Sequence, residues 1–497
     1  MTRQTLIVCT AALFLSTLAA HAETVRWGRS GDAETLDPHA AADKFTQQLL
    51  HNVYEPLIRF EPGGAVSGVL AASWLASAND PNLWVFNLKR AVFHDGAEFD
   101  ADDVVFSLNR ARAEGSAFAE AAADIVAVRA MGPRSVEIRF AAPSPVPPAV
   151  LSRILIMDSG WAQENGVAAA TKPASDKANG TGPYKVDSRD PAVRTKLVAN
   201  ERYAGLPPAA REVVYLPIAN PAIQTKALGW DELDVLQDAS AADVESLKNE
   251  DGIAIESGPA NSVLYLGFRF GAAETTDNPF DKALVREAVD RAIDRSGVAS
   301  FVDRGQAEAT ALLVPAFVGG WSKGLAAPIS PDKTRAKALL AEAGYPEGFA
   351  VKLDVATGDA AAANRIKAML TSIGIWADVV PRPAAAHEAY VASGESAFHL
   401  SSYAAPGFDS AAVLEWLVDK QDGYSNAGLS QRVAALSGMF NKNERRSEIA
   451  KLWLDVQNER IALPIAQRHI AHAMRAAVSV QPDPNGLTRF DTIRFND

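Results

Sequence analysis

Few residues have the type and spacing to do chemistry. His469 and His472 stand three apart, which on a helix would let both bind one metal ion. They follow Pro464 in a stretch that reads as a strand, where residues three apart face opposite ways. His387-Glu388 opens like a zinc-protease HExxH helix, but Val391 occupies the second histidine position. Ser330-x-x-Lys333 has the spacing of a serine acylase, yet it falls on a helix start led by Pro331 and has no companion motif. No P-loop, GxGxxG or GxSxG occurs, and the many carboxylates form no recognisable catalytic pair. The pattern argues against an enzyme, a cofactor or a metal centre, and for a protein that binds without chemistry.

The elements that would position a binding site are those of a large globular chain. It has 497 residues, 48% of them apolar and 22% charged, enough for two to four domains at about 100–200 residues each. Forty-eight basic against 60 acidic residues give a net charge of −12. With no basic tract, nucleic acid is a poor partner. Residues 1–22 read as a removed secretory leader, with Arg3 ahead of an apolar run from Leu6 to Leu15 and Ala20-His21-Ala22 as the cleavage pattern. The expected mature start is Glu23. Cys9 is the one cysteine and lies inside that leader, without the small residue a lipoprotein signal needs before it. A thiol-free mature chain suits an oxidising compartment and excludes disulfides and thiolate chemistry.

Periodicity supplies the local structure. Alternation predicts strands at Thr24–Gly28, Leu83–Leu88 and Ser135–Phe140. Asp95-Gly96 marks a turn, and Asp100-x-x-Asp103 reads as a capping box opening a helix through Val104, Val105 and Leu108. Pro143 to Pro148 breaks the chain into a loop, and Gly180-Thr181-Gly182-Pro183-Tyr184 turns into a strand. Lys282 to Ile293 has helical spacing. Phe349 to Val355, Ala361 to Ser372 and Ile375 to Val380 read as strand, helix and strand, which predicts a parallel pair with a right-handed crossover. A second helix is expected from Ser330-Pro331 to Gly344.

Several of these motifs, taken in order, resemble the family 5 extracellular solute-binding proteins of peptide, nickel and opine ABC importers. Leu36-Asp37-Pro38-His39, Val53-Tyr54-Glu55-Pro56-Leu57-Ile58 and Leu70-Ala71-Ala72-Ser73-Trp74 come first. The block from Phe93 to Arg110 follows, then Gly180 to Tyr184, Val285-Arg286-Glu287-Ala288 with Ala292 to Arg295, and Tyr424-Ser425-Asn426. The resemblance implies an α/β, two-lobed periplasmic-binding-protein fold of the class II kind, with an extra subdomain inserted in the first lobe. The first lobe would comprise residues 23–50, 172–260 and 472–497, the inserted subdomain 51–171, and the second lobe 261–471.

The resemblance also implies a function. A peptide-like or related small solute would close the lobes, and the closed form would dock on ABC permease subunits in the inner membrane. The chain would act as a monomer in the periplasm. Two other readings remain open: a protein of the same shape reporting its ligand to a membrane receptor, and a secreted hydrolase. In peptide-binding members the ligand pairs as an added strand with two backbone segments. These correspond here to Ala42, Asp43 and Lys44, and to the run from Ser402, Tyr403 and Ala404 to Asp409. Pro406 stands where the family's aspartate holds a peptide's ammonium, so Asp409 is the substitute to test. His387 and Tyr390 fall near another pocket aromatic, and Arg269 is expected to meet a ligand anion or a surface carboxylate.

Overall fold

The computed structural model describes residues 24–61, 65–271, 278–419 and 423–496. Residues 1–22, expected to be a leader and containing Cys9, lie outside them. Eleven strands among the described residues form one sheet. From one edge run Ile375–Arg382, Phe349–Ala356, Phe398–Tyr403 and Ile253–Phe268. Ala462–Arg475, Val235–Leu236, Thr24–Arg29, Glu212–Pro217, Arg194–Ala199 and Tyr184–Asp190 continue it, and Ala307–Ala309 pairs beside Ala462–Arg475.

The expected crossover is present. Phe349–Ala356 and Ile375–Arg382 pair in parallel, with Phe349 opposite Ile375, and helix Ala360–Thr371 joins them. Ile366 and Leu370 are fully buried on the helix side that covers the sheet. Gly348, at φ +79°, leaves room for the return strand, since a Cβ there would sit 1.8 Å from the Gly374 carbonyl oxygen. The neighbouring helix departs from expectation. It runs Lys333–Glu342, capped by Asp332, whose carboxylate accepts from the Arg335 amide at 2.9 Å. Asp332 offers an acceptor to the free amides of the first turn, so Ser330 and Pro331 stay outside.

Residues 57–156 carry an apolar cluster of their own. It packs around a four-stranded sheet ordered Ala71–Ala76, Leu83–Leu88, Ser135–Phe140 and Ile125–Gly132, and against helix Ala101–Ala111. The Asp100–Asp103 capping box forms as read from the sequence. At the far end of this helix Arg110 reaches Asp37 with two hydrogen bonds, 2.8 and 2.6 Å, both side chains buried. Asp37 also accepts from the amides of His39 and Ala174. Two of the sequence motifs therefore meet as one buried ion pair.

Two further large clusters lie at opposite ends of the long sheet. One gathers Val25, Trp27, Leu49, Tyr184, Tyr215 and Phe490; the other gathers Leu264, Phe268, Val289, Leu353, Leu400 and Trp453. Only long strands can join them. Ile253–Phe268 and Ala462–Arg475 run antiparallel through both, from the pair Ile253–Arg475 to the pair Gly267–Ala462. Their register shifts between Pro259 and Val263, where Gln467 Nε2 donates to the carbonyls of Ala260 and Ser262. No helix among the described residues is long and apolar enough to cross a membrane.

Candidate functional site

A cavity of about 390 Å³ opens beside that register shift, within the size range of small-molecule sites. Four segments make one wall: Ala42–His51 and the nearby Pro56–Phe60, with Ala149–Arg153 and Asp483–Arg489 from far along the chain. Asn261 and Ala404–Phe408 make the other.

Helix Lys44–Leu50 sets the first segment. Asp43 caps it, accepting from the Phe45 and Thr46 amides at 2.9 and 3.0 Å. Lys44, Gln47 and His51 then fall at i, i+3 and i+7, one face of the helix, and all three line the cavity. Gln47 Nε2 donates to the Ala41 carbonyl, while its Oε1 is buried with no partner among the described residues. His51 contacts the Gln47 carbonyl through Nδ1, and burial, aided by Arg59 and Arg153, lowers its pKa to about 4. The ring is therefore neutral at pH 7.

The 483–489 segment comes from the far end of the chain and is pinned by buried side chains. Gln48 Nε2 donates to the Thr488 carbonyl, Gln237 Nε2 to the Gly486 carbonyl, and the Phe490 amide to Asn52. His472 bonds to the Thr488 hydroxyl at 2.9 Å. These bonds hold Arg489 at the cavity, where it also pairs with Asp491. Asp483 accepts from the amides of Asn485 and Leu487, and burial raises its pKa against the pull of Arg59 and Arg489.

On the opposite wall the Asn261 side chain acts like a strand neighbour. Its Nδ2 donates to the Ala405 carbonyl and its Oδ1 accepts from the Ala405 amide, both at 2.9 Å. Pro406 has no amide hydrogen to offer. Phe60 and Phe408 stack across the cavity, ring centres 4.7 Å apart.

The expected site residues divide. Ala42, Lys44 and Ala404 line the cavity, and Asp43 positions the helix that bears Lys44. Ser402 and Tyr403 are drawn elsewhere. Ser402 accepts from Arg468, and the Tyr403 ring packs 4.2 Å from Trp416. Asp409 does not reach the cavity as a substitute for the missing acid. Arg445 holds both its oxygens, at 2.6 and 2.7 Å, and the Ala411 amide donates to one of them. Arg269 is not part of the cavity lining; its guanidinium donates to the Gly394 carbonyl, and it forms no ion pair among the described residues. His387 is buried against Ser401, and Tyr390 lies beneath the Arg382 guanidinium, so neither lines the cavity.

Sequence reading missed Gln47, His51, Arg59, Arg153, Asn261, Asp483 and Arg489. The helical spacing of Lys44, Gln47 and His51 was a usable signal; the others had none. His469 and His472 do face apart, His472 fully buried and His469 half-buried. Among the described residues no group of three His, Cys, Asp or Glu could hold a metal ion.

Comparison with known proteins then fixes the family. The model for bacterial extracellular solute-binding proteins, family 5, matches residues 65–425. This chain belongs to that family. Among its family 5 relatives, the probable D,D-dipeptide-binding periplasmic protein DdpA of Escherichia coli K12 is 25% identical over 321 residues, 63% of this chain and 60% of DdpA. The glutathione-binding protein GsiB of Shigella flexneri is 25% identical over 325 residues, 64% of this chain and 61% of GsiB. The chain thus matches about three-fifths of the length of these curated relatives. The fold is shared more fully. HbpA2 of Haemophilus parasuis overlays with a TM-score of 0.84 at 20% identity, covering 95% of this chain and all of HbpA2. The α/β, two-lobed fold expected from the sequence is the one observed.

Proposed function

We propose that this chain is the solute-capturing component of an ABC importer. It works as a monomer in the periplasm after loss of residues 1–22, and passes its cargo to a membrane permease. The observation that carries the reading is the cavity's position, lying between two separate apolar cores and walled from both sides. Among the described residues two strands carry the chain through the sheet between those cores beside the cavity, a geometry suited to hinge closure. The lobe boundaries we adopt, 260/261 and 471/472, fall on these strands. The first lobe then comprises residues 23–50, 172–260 and 472–497, with 51–171 as its inserted subdomain and 261–471 as the second lobe. DdpA and GsiB, named for binding a dipeptide and glutathione, support a small solute of that scale.

Binding and release suffice for this role, with no catalytic step. Native mass spectrometry of the protein isolated undenatured from its own cells is expected to show one non-covalent small solute, released chemically unchanged. A solute-free mass in every preparation, or release of a reaction product, would count against the reading.

A further inference from the structure

The cavity has the opposite charge to the chain that builds it. The protein carries a net −12, yet Lys44, Arg59, Arg153 and Arg489 line the cavity against one carboxylate, Asp483. That carboxylate is already turned to two backbone amides. Arg489 shares its charge with Asp491. Arg59 has no ion pair among the described residues; burial and the facing charge of Arg489 work against its protonated form, and Glu55 and Asp491 favour it only from beyond ion-pair distance, without outweighing them. Lys44 and Arg153 sit exposed at the rim, each against a phenylalanine ring rather than an acid.

Leaving a guanidinium desolvated and unpaired is costly, so a fold keeps one where something else supplies the counter-charge. Backbone pairing offers little on the facing wall, since Asn261 occupies both polar groups of Ala405 and Pro406 has no amide hydrogen. The buried, unpartnered Gln47 Oε1 adds one acceptor for a ligand hydroxyl or amide.

Resting on the solute-binding reading above, we infer that the cargo is a small polyanion, bearing two or more carboxylate or phosphate groups and no free ammonium, clasped by Arg59 and Arg489. The guanidinium fork matches the oxygens of either group with two parallel hydrogen bonds. Lys44 and Arg153 draw the anion in from the rim.

The test uses the mature full-length protein and calorimetry at low and high salt. Its probes are citrate, glucose 6-phosphate and N-acetyl-Glu-Glu, each against an uncharged counterpart: glycerol, glucose and N-acetyl-Gln-Gln-amide. At least one anion is expected to bind about tenfold or more tighter than its counterpart and to weaken as salt rises. The citrate and glucose 6-phosphate arms separate a polycarboxylate cargo from a phosphate ester. Arg59→Gln is expected to lose about tenfold or more of that affinity. Its ligand-free melting temperature should not fall, because no ion pair is broken. Arg489→Gln is the second variant and should lose anion affinity likewise.

The proposal is overturned if the uncharged probes bind as tightly as the anions. It is overturned equally if both variants bind anions as the native protein does, or if no anion binds at millimolar concentration. In each case a small solute found by native mass spectrometry would leave the binding-protein reading standing. A solute-free protein would remove both.

Discussion

Replacing Arg110 with alanine is expected to cost about 3–5 kcal/mol of folding stability, because it strands the buried Asp37 carboxylate. Asp37 is fully buried and Arg110 nearly so, and they share two hydrogen bonds. Burial alone would raise the Asp37 pKa. The Arg110 hydrogen bonds and charge, with the His39 and Ala174 amides, outweigh it and hold the pKa below the usual carboxylate value. A folded-state pKa lowered in this way contributes stability above the unfolded value and loses it as pH falls through the acid range. His39, beside the pair, is held to a pKa of about 4 by burial first and Arg110 second. Its unfolded form takes up a proton near pH 6.5, so this site begins to lose stability at that point as pH falls. Urea unfolding followed by circular dichroism measures both effects. A loss below about 1 kcal/mol for Arg110→Ala at pH 7 would show that water or rearrangement compensates the carboxylate.

Free peptide amino termini should bind about 10²–10³-fold more weakly than their N-acetylated counterparts. An unpartnered buried ammonium costs about 3–5 kcal/mol, and each 1.4 kcal/mol is tenfold. The resemblance sets Pro406 where peptide-binding members carry an acidic anchor, and Pro406 lines the cavity without a charge or an amide hydrogen. Asp409 is spoken for by Arg445, and Asp483 by two backbone amides. Four cationic side chains on the facing wall add repulsion. Calorimetry with free and acetylated tetrapeptides, on the native protein and on Pro406→Asp, decides the matter. The substitution should narrow the gap by restoring an anion at that position. Free peptides binding as tightly as acetylated ones, with the affinity lost in Asp409→Ala, would show that Asp409 leaves Arg445 to serve as the anchor.

What the sequence made legible follows from the range of each interaction. The crossover around Ala360–Thr371 and the Asp100–Asp103 cap were readable because periodicity and capping act within a few residues. The missed start at Asp332 shows the same limit at finer scale, since Ser330, Pro331 and Asp332 all satisfy the local rules and only the formed bond to Arg335 chooses. Gly180 was recognisable as a motif residue but not as a contact. A Cβ there would lie 2.1 Å from the Val53 carbonyl oxygen, more than a hundred residues earlier in the chain.

The site was less legible for the same reason. Pro406 and Ala404 could be placed by resemblance, and both line the cavity. Arg59 and Arg489 stand at opposite ends of the sequence and meet only because Gln48, Asn52, Gln237 and His472 pin the C-terminal loop. No spacing rule reaches that far. Arg269, just past the end of strand Ile253–Phe268, gives no sequence sign of its partner among the described residues, the Gly394 carbonyl.

The lobes are expected to close on a solute they do not alter. Small-angle X-ray scattering of the mature protein, with and without the solute that co-purifies with it, tests this most directly. A smaller radius of gyration at saturation and full recovery of the unchanged solute on release are expected. An unchanged radius at saturation, or a solute returned as a different compound, would contradict it.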